Sequence, residues 1–284
     1  MQLTKNIFVE TKIGGCNVGY LLTDDGIILI DTPQRPTVAC EWAREISSKG
    51  TPKYLINTEC HRDHFTGNCF FRVPVIGHEK TREGILSVSK ETILSRVAVI
   101  DPEGYGLVAE REPNPPTITF TDRLTLHSGN HTVQLINHPG HTMGQTSVLI
   151  PEERVLFTGD NVFYRTQSFL YSGDVYRWLE SLSEIEKLDV DYIVPGHGEV
   201  CGKSYLREQR AFIREWIDRV KEAVGLGWSK EEAVREISFA DRYPMSPGTE
   251  DLMQNVQKNN VSYLYDLLKA EQERASPDEA PAAP

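Results

Sequence analysis

Thr58-Glu59-Cys60-His61-Arg62-Asp63-His64 is the stretch on which the reading of this chain turns. It follows Tyr54-Leu55-Ile56, a short apolar run expected to form a buried strand. Glu59, His61, Asp63 and His64 carry side chains able to ligate a metal ion. Such sites need ligands presented from a rigid edge, and a strand end running into a loop supplies one. Taken alone, the cluster also fits a polar surface loop.

Three other segments share its design. Pro139-Gly140-His141-Thr142 follows the expected strand Thr132–Ile136. Phe157-Thr158-Gly159-Asp160 follows a strand starting at Val155, and Pro195-Gly196-His197-Gly198 follows one starting at Tyr192. Each sets a His or Asp just past a strand, next to glycine that frees the backbone for a tight turn. Chance does not readily produce that arrangement at four separate places.

With those segments in view, the chain resembles the metallo-β-lactamase superfamily, whose signature is H-x-H-x-D-H followed by separate His, Asp and His motifs. The resemblance runs from about Asn6 to Gly202. It implies an α/β fold, an αββα sandwich, with two divalent metal ions. Carried over residue by residue, one ion would be held by Glu59, His61 and His141. The second would be held by Asp63, His64 and His197, with Asp160 bridging both. Asp31, in Leu29-Ile30-Asp31-Thr32-Pro33, resembles the acidic residue that supports the metal loop from behind.

The departure is Glu59, which stands where the family has its first histidine. Two divalent ions bring about +4, and Asp63, Asp160 and Glu59 together bring about −3. The centre keeps about +1, against about +2 with histidine, so bound hydroxide should be held less strongly and the water's pKa should rise. Zinc accepts glutamate and is the expected ion, a carboxylate makes iron or manganese more competitive, and a centre holding the second ion alone is the remaining alternative. Alternatively, Glu59 turns away and only supports a ligand histidine. Cys60, between two candidate ligands, is expected to be a small buried residue, because neighbouring side chains in an extended stretch point to opposite sides. His78 is not expected to be a ligand, and His127, His131 and His138 are expected to be surface or strand residues.

Working outward, short β-rich runs at Ile7–Glu10, Asn17–Leu22 and Ile27–Ile30 are separated by Gly14-Gly15 and Asp24-Asp25-Gly26, which are turn signals. Thr37–Ser48 has helical spacing. A second series of strands is expected at Thr117–Phe120, Leu124–Leu126, Thr132–Ile136, Ser147–Ile150, Val155–Phe157 and Tyr192–Val194, with a helix over Asp174–Leu188. Two β-rich runs, each closed by helices, suggest two sheets face to face with helices outside. Glu79–Arg111 reads as a helical excursion followed by a mobile loop, a candidate lid. The domain expectation is a catalytic unit over residues 1–204, a helical extension over 205–272 and a disordered tail over 273–284. Ser229 with Glu232 resembles a capping box. Phe212, Trp216 and Val220 form a stripe that either completes the pocket or forms a homodimer interface.

Composition sets the outer limits. The net charge of −11 argues against nucleic acid as a ligand, since phosphate backbones call for a basic stripe. No apolar run is long enough for a membrane helix, and Met1–Glu10 does not read as a secretory signal. Five irregularly spaced cysteines suggest reduced thiols and a cytoplasmic location.

The expected chemistry is metal-assisted hydrolysis of a small acyl compound, such as a lactone, thioester, ester or amide. Asp63 is the candidate catalytic residue, orienting the nucleophile or carrying a proton. Substrate contacts are expected from the stretch after Asp160, with Tyr164 or Tyr171 donating to an oxyanion and Arg165 pairing with a carboxylate. Two other readings stand beside this one: iron-dependent oxygen chemistry, and a catalytically silent binding protein on the same fold.

Overall fold

The computed structural model describes residues 1–275. Its first sheet holds β1 (Ile7–Glu10), β2 (Val18–Thr23), β3 (Gly26–Ile30), β4 (Pro52–Ile56), β5 (Val75–His78) and β6 (Ile118–Phe120), in that spatial order. The first three strands form an antiparallel meander, and β3 to β6 run parallel. The second sheet is ordered β11-β10-β9-β8-β7. Its strands are β7 (Arg123–Ser128), β8 (His131–Asn137), β9 (Thr146–Ile150), β10 (Val155–Phe163) and β11 (Tyr192–His197). Here β7 to β10 are antiparallel, and β11 lies parallel to β10. Gly129-Asn130 closes the β7–β8 hairpin, with Gly129 at φ 55, a conformation that favours glycine.

Alternation along the strands creates the layers. Ile28 and Ile30 on β3 face Leu135, Val148 and Ile150 of the second sheet and form the inner core. Ile27 and Leu29 point the other way, onto Trp42 and Ile46 of α1 (Pro36–Lys49). Strand β3 is thus apolar on both faces, as a parallel strand covered on both sides requires. Leu149, Leu156 and Ile193 cover the outer face of the second sheet, against Trp178 and Leu182 of α6 (Val175–Ile185). The result is the expected αββα sandwich.

Short α2 (Arg62–Phe65) carries part of the metal loop. The excursion between β5 and β6 is more regular than expected. It folds as α3 (Glu79–Ser87), α4 (Lys90–Ile100) and α5 (Tyr105–Ala109), with Ile85, Ile93, Val97 and Val108 buried on Phe65. A helix thus occupies much of the stretch expected to be a loop, because these apolar residues find partners beside the metal loop.

Past β11 come α7 (Tyr205–Gly225), α8 (Lys230–Glu236) and α9 (Met253–Ala275). Ser229 and Glu232 form the capping box that starts α8. Phe212, Trp216 and Val220 are buried within the chain, in one core with α6, β10 and Val261 and Leu264 of α9. The helical region therefore packs as a continuation of the outer layer. Helix α9 continues through Ala275, into the stretch expected to be a tail, and the remainder of that stretch lies outside the described residues. Among the described residues, no helix is long and apolar enough to cross a membrane.

Candidate metal centre

The four strand-end segments meet at one edge of the sandwich. Glu59, His61, Asp63 and His64 leave β4, His141 leaves β8, Asp160 lies in β10 and His197 ends β11. Asp160 sits inside a strand longer than expected. Pairing between β10 and β11 shifts register after Phe157 and again after Gly159, which turns Asp160 into the centre. Gly196 makes room for it, since a Cβ there would collide with Asp160 Oδ1 and with the β10 backbone.

The structure brings together all seven residues placed by the motif. His64 Nε2 lies 3.2 Å from Glu59 Oε1 and 3.2 Å from Asp160 Oδ1. His197 Nε2 is 3.3 Å from both Asp63 Oδ2 and Asp160 Oδ2. His141 Nε2 is 3.5 Å from Asp160 Oδ2 and 3.7 Å from Glu59 Oε1. His61 Nδ1 donates to Glu59 Oε1 at 2.9 Å. Glu59 is fully buried and turns inward, so its carboxylate is grouped with His61, His141 and Asp160, while Asp63, His64 and His197 form an adjoining group.

A fixed set of supporting bonds aims these side chains. Asp31 follows β3 with φ 53, an uncommon conformation for a residue other than glycine. Its Oδ1 accepts from Thr58 N at 2.8 Å, and its Oδ2 accepts from Thr58 Oγ1 at 2.5 Å and from His64 Nδ1 at 2.9 Å. His64 is thereby left with Nε2 facing the centre. His141 Nδ1 donates to Phe169 O at 3.0 Å, which frees its Nε2 in the same way. Asn161 Oδ1 accepts from His141 N at 3.1 Å, and its Nδ2 donates to His138 O at 2.7 Å. Asn17 Nδ2 donates to Pro195 O and Gly198 O, each at 2.8 Å, tying the His197 turn to the first sheet.

The donor set fits metal ions. His64 Nε2 and Asp160 Oδ1 are buried and adjacent, yet neither has a hydrogen-bond partner in the protein. Buried polar atoms are normally satisfied, so a facing pair of orphans at the meeting point of four imidazoles and three carboxylates is the signature of a cation site. Burial opposes charge on His61 and His197, but neighbouring carboxylates prevail. Glu59 raises His61 to about 9, and Asp160 with Asp63 raises His197 to about 10. Burial likewise opposes ionisation of Glu59, Asp63 and Asp160, and the histidine charges still hold all three below the ordinary carboxylate range. His141, by contrast, is pushed down by burial.

The centre floors a pocket of about 300 Å³. Tyr171 lines it, together with Phe169 from the same stretch. Tyr164 and Arg165 are not among the lining residues. Tyr164 packs on Tyr205, and Arg165 lies over the Tyr164 ring with its own φ at 53, which carries the chain away from the centre. The cations at the pocket are instead Arg62, from inside the metal motif, and Arg96 of α4, and Gln34, Thr249 and Leu252 complete the wall. Sequence reasoning passed over these residues; Arg62 alone carried a signal, its place between two candidate ligands. His78 lies outside both ligand groups: its Nδ1 accepts from Lys80 N at the start of α3, and its Nε2 donates to Thr121 O. Cys60 is half-buried beside Gly84, and burial raises its thiol to about 12.

Comparison with known proteins agrees with this geometry. A family model described as the metallo-beta-lactamase superfamily matches residues 11–197. A Beta-lactamase-like protein 2 homolog of Caenorhabditis elegans is 26% identical over 219 residues, covering 73% of this chain and 66% of that protein. A hydroxyacylglutathione hydrolase of Bartonella henselae is 31% identical over 84 residues, 30% of this chain and 31% of that enzyme. The chain thus spans between about a third and two thirds of these curated relatives. Among solved structures, a metallo-beta-lactamase family protein from Thermus thermophilus superposes with a TM-score of 0.67 at 15% identity, over 99% of this chain and 98% of that one. With its motif positions converging on one buried centre, and most of its sandwich matched by the family model, this chain belongs to the metallo-beta-lactamase superfamily.

Proposed function

We propose that this protein is a metal-dependent hydrolase acting on a small acyl compound, a lactone, thioester, ester or amide. The observation that carries the reading is the paired set of ligand groups, with the orphaned atoms of His64 and Asp160, at the floor of a pocket of about 300 Å³. Glu59, His61 and His141 would hold one divalent ion and Asp63, His64 and His197 a second, with Asp160 between them. Zinc is the expected metal, and the three carboxylates also suit manganese or iron. When bound, such ions lower the pKa of water and polarise an acyl oxygen.

The chain's own residues do the rest. Asp31, Asn161 and the Phe169 carbonyl fix the histidines, so that little reorganisation is needed during reaction. Asp63, partly open to the pocket, is placed to accept a proton from the attacking water and pass it to the leaving group. In balance, water oxygen bonds to the acyl carbon, the bond to the leaving oxygen, sulfur or nitrogen breaks, and the leaving atom takes the proton. Phe169 and Tyr171 offer an apolar wall for the substrate. The relative named hydroxyacylglutathione hydrolase supports acyl chemistry in particular. The net charge of −11 supports a small-molecule substrate over nucleic acid, and five free cysteines support a reducing, cytoplasmic setting.

Elemental analysis of protein purified without added metal, beside a panel of lactones, thioesters, esters and amides, tests the reading. Two equivalents of zinc or manganese with turnover of a panel member is the expected result. Stoichiometric iron with oxygen uptake, or full metal sites with no hydrolysis of any member, would overturn it.

A further inference from the structure

Resting on that hydrolase reading, we propose that the pocket selects acyl substrates bearing a second, unreactive carboxylate, which Arg62 and Arg96 bind. Both arginines line the pocket whose floor is the metal centre. They come from different elements that pack side by side, Arg62 from the metal loop and Arg96 from α4. In a chain of net charge −11, two arginines lining one small pocket call for a counter-charge. The protein does not provide it: among the described residues Arg62 has no ion-pair partner. Arg96 has only Asp251 at 3.8 Å, and that carboxylate is 63% exposed while Arg96 itself is 17% exposed. An exposed acid at that distance is a weak partner that a better-placed carboxylate replaces.

The floor does not meet the need either. Glu59 brings a third carboxylate to the centre, so with two ions and a hydroxide the floor is about neutral. A carboxylate on the substrate is therefore drawn past the floor to the arginines, where planar guanidinium and carboxylate match in shape as well as charge. Phe169 and Tyr171, with ring centroids 6.2 Å apart, and Leu252 add apolar surface to the same pocket. The substrate class is an acyl compound with a short apolar body, the reactive carbonyl at one end and a carboxylate at the other.

The test uses the metal-loaded full chain in two arms. In the first, an aryl ester whose acyl chain ends in a carboxylate is compared with the same ester capped as its neutral methyl ester. Wild type should favour the anionic member in kcat/KM, and Arg62→Ala and Arg96→Ala should each lower that preference about tenfold, mainly through KM. Arg62→Lys should restore part of it, and Asp251→Asn should increase it. In the second arm, calorimetry compares binding of glutarate and butyrate, and the preference for glutarate should fall by a similar factor in the same variants. Equal binding of glutarate and butyrate by wild type, or an unchanged preference in both arginine variants, overturns the inference and leaves the hydrolase reading standing. A preference in calorimetry that the variants abolish, with no turnover of either ester, upholds carboxylate selection and counts against hydrolysis.

Discussion

Replacing Asp31 by asparagine isolates the support behind the metal loop from the ligands themselves. Asparagine nearly matches aspartate in size, and it tolerates the left-handed backbone at φ 53 better than most residues, so the turn after β3 should persist. What changes is the supply of acceptors. Three donors converge on the carboxylate: Thr58 N on Oδ1, and Thr58 Oγ1 and His64 Nδ1 on Oδ2. An amide has one oxygen, and Thr58 N, which cannot rotate, will claim it. The amide NH2 then faces Thr58 Oγ1 and His64 Nδ1. The hydroxyl adapts by accepting. His64 adapts by becoming an acceptor at Nδ1, which moves its proton to Nε2.

That proton then faces Glu59 Oε1 and Asp160 Oδ1, both 3.2 Å away, and takes up the position that a cation would need. Metal binding must reverse the tautomer and leave two donors facing each other. Removing such support from a ligand histidine lowers metal affinity about 10- to 100-fold, or about 1.4 to 2.7 kcal/mol. Competition against a chromophoric chelator at pH 7, with zinc and with manganese, reads this directly, and far-ultraviolet circular dichroism checks the fold. A variant that folds like wild type and binds zinc within twofold of its affinity would refute the argument that Asp31 sets the His64 tautomer.

Other outcomes follow from the same centre. Glu59→His removes a buried negative charge, so the pH midpoint of activity should fall and zinc should gain over manganese by about tenfold, measured by metal competition and pH–rate profiles. In metal-free protein His61 and His197 are raised to about 9 and about 10. A raised folded pKa contributes stability that is fully present below about 6.5 and is lost as pH climbs through the folded value. The melting temperature of metal-free protein should therefore fall between about pH 7 and pH 10, with a much smaller change once metal is bound. For the same reason metal binding at neutral pH should release about two or three protons, counted by calorimetry in buffers of different ionisation enthalpy. Gly196→Ala forces a methyl group onto Asp160 Oδ1 and the β10 backbone, and should cost at least one equivalent of metal, read by elemental analysis, with circular dichroism reporting any loss of sheet.

The sequence was most informative where local chemistry and strand periodicity coincided. Leu29-Ile30 and Tyr54-Leu55-Ile56 are short apolar runs followed by polar residues, so both the strands and the ligand-bearing edge could be placed. Side-chain direction beyond that edge was not legible. Arg165 follows the Asp160 motif closely, but a positive φ at Arg165 itself carries the chain away, and no local pattern announced it. Arg96 and Leu252 reach the pocket from segments distant in sequence, positioned by tertiary packing of α4 and of the chain before α9. The excursion after β5 contains glycines that suggest a loop, yet Ile93, Val97 and Val108 acquire a helical face once Phe65 is beside them.

Glu59 connects the centre to the pocket above it. Its Oε2 accepts from Cys60 N and His61 N, both at 3.2 Å, so the loop that carries it also holds it. Full burial leaves the carboxylate no solvent to face, and it lies beside the imidazoles of His61, His64 and His141. A histidine there would add no charge and would leave a more positive floor, able to draw an anionic substrate onto the ions themselves. With glutamate, two bound ions and a hydroxide would leave the floor close to neutral, and attraction for an anion would shift to Arg62 and Arg96 at the pocket wall. The two features are then parts of one design, which makes a joint prediction. Glu59→His combined with Arg62→Ala should recover part of the affinity for glutarate that Arg62→Ala alone loses, measured by calorimetry on metal-loaded protein. Strictly additive effects would show that the floor and the wall act independently.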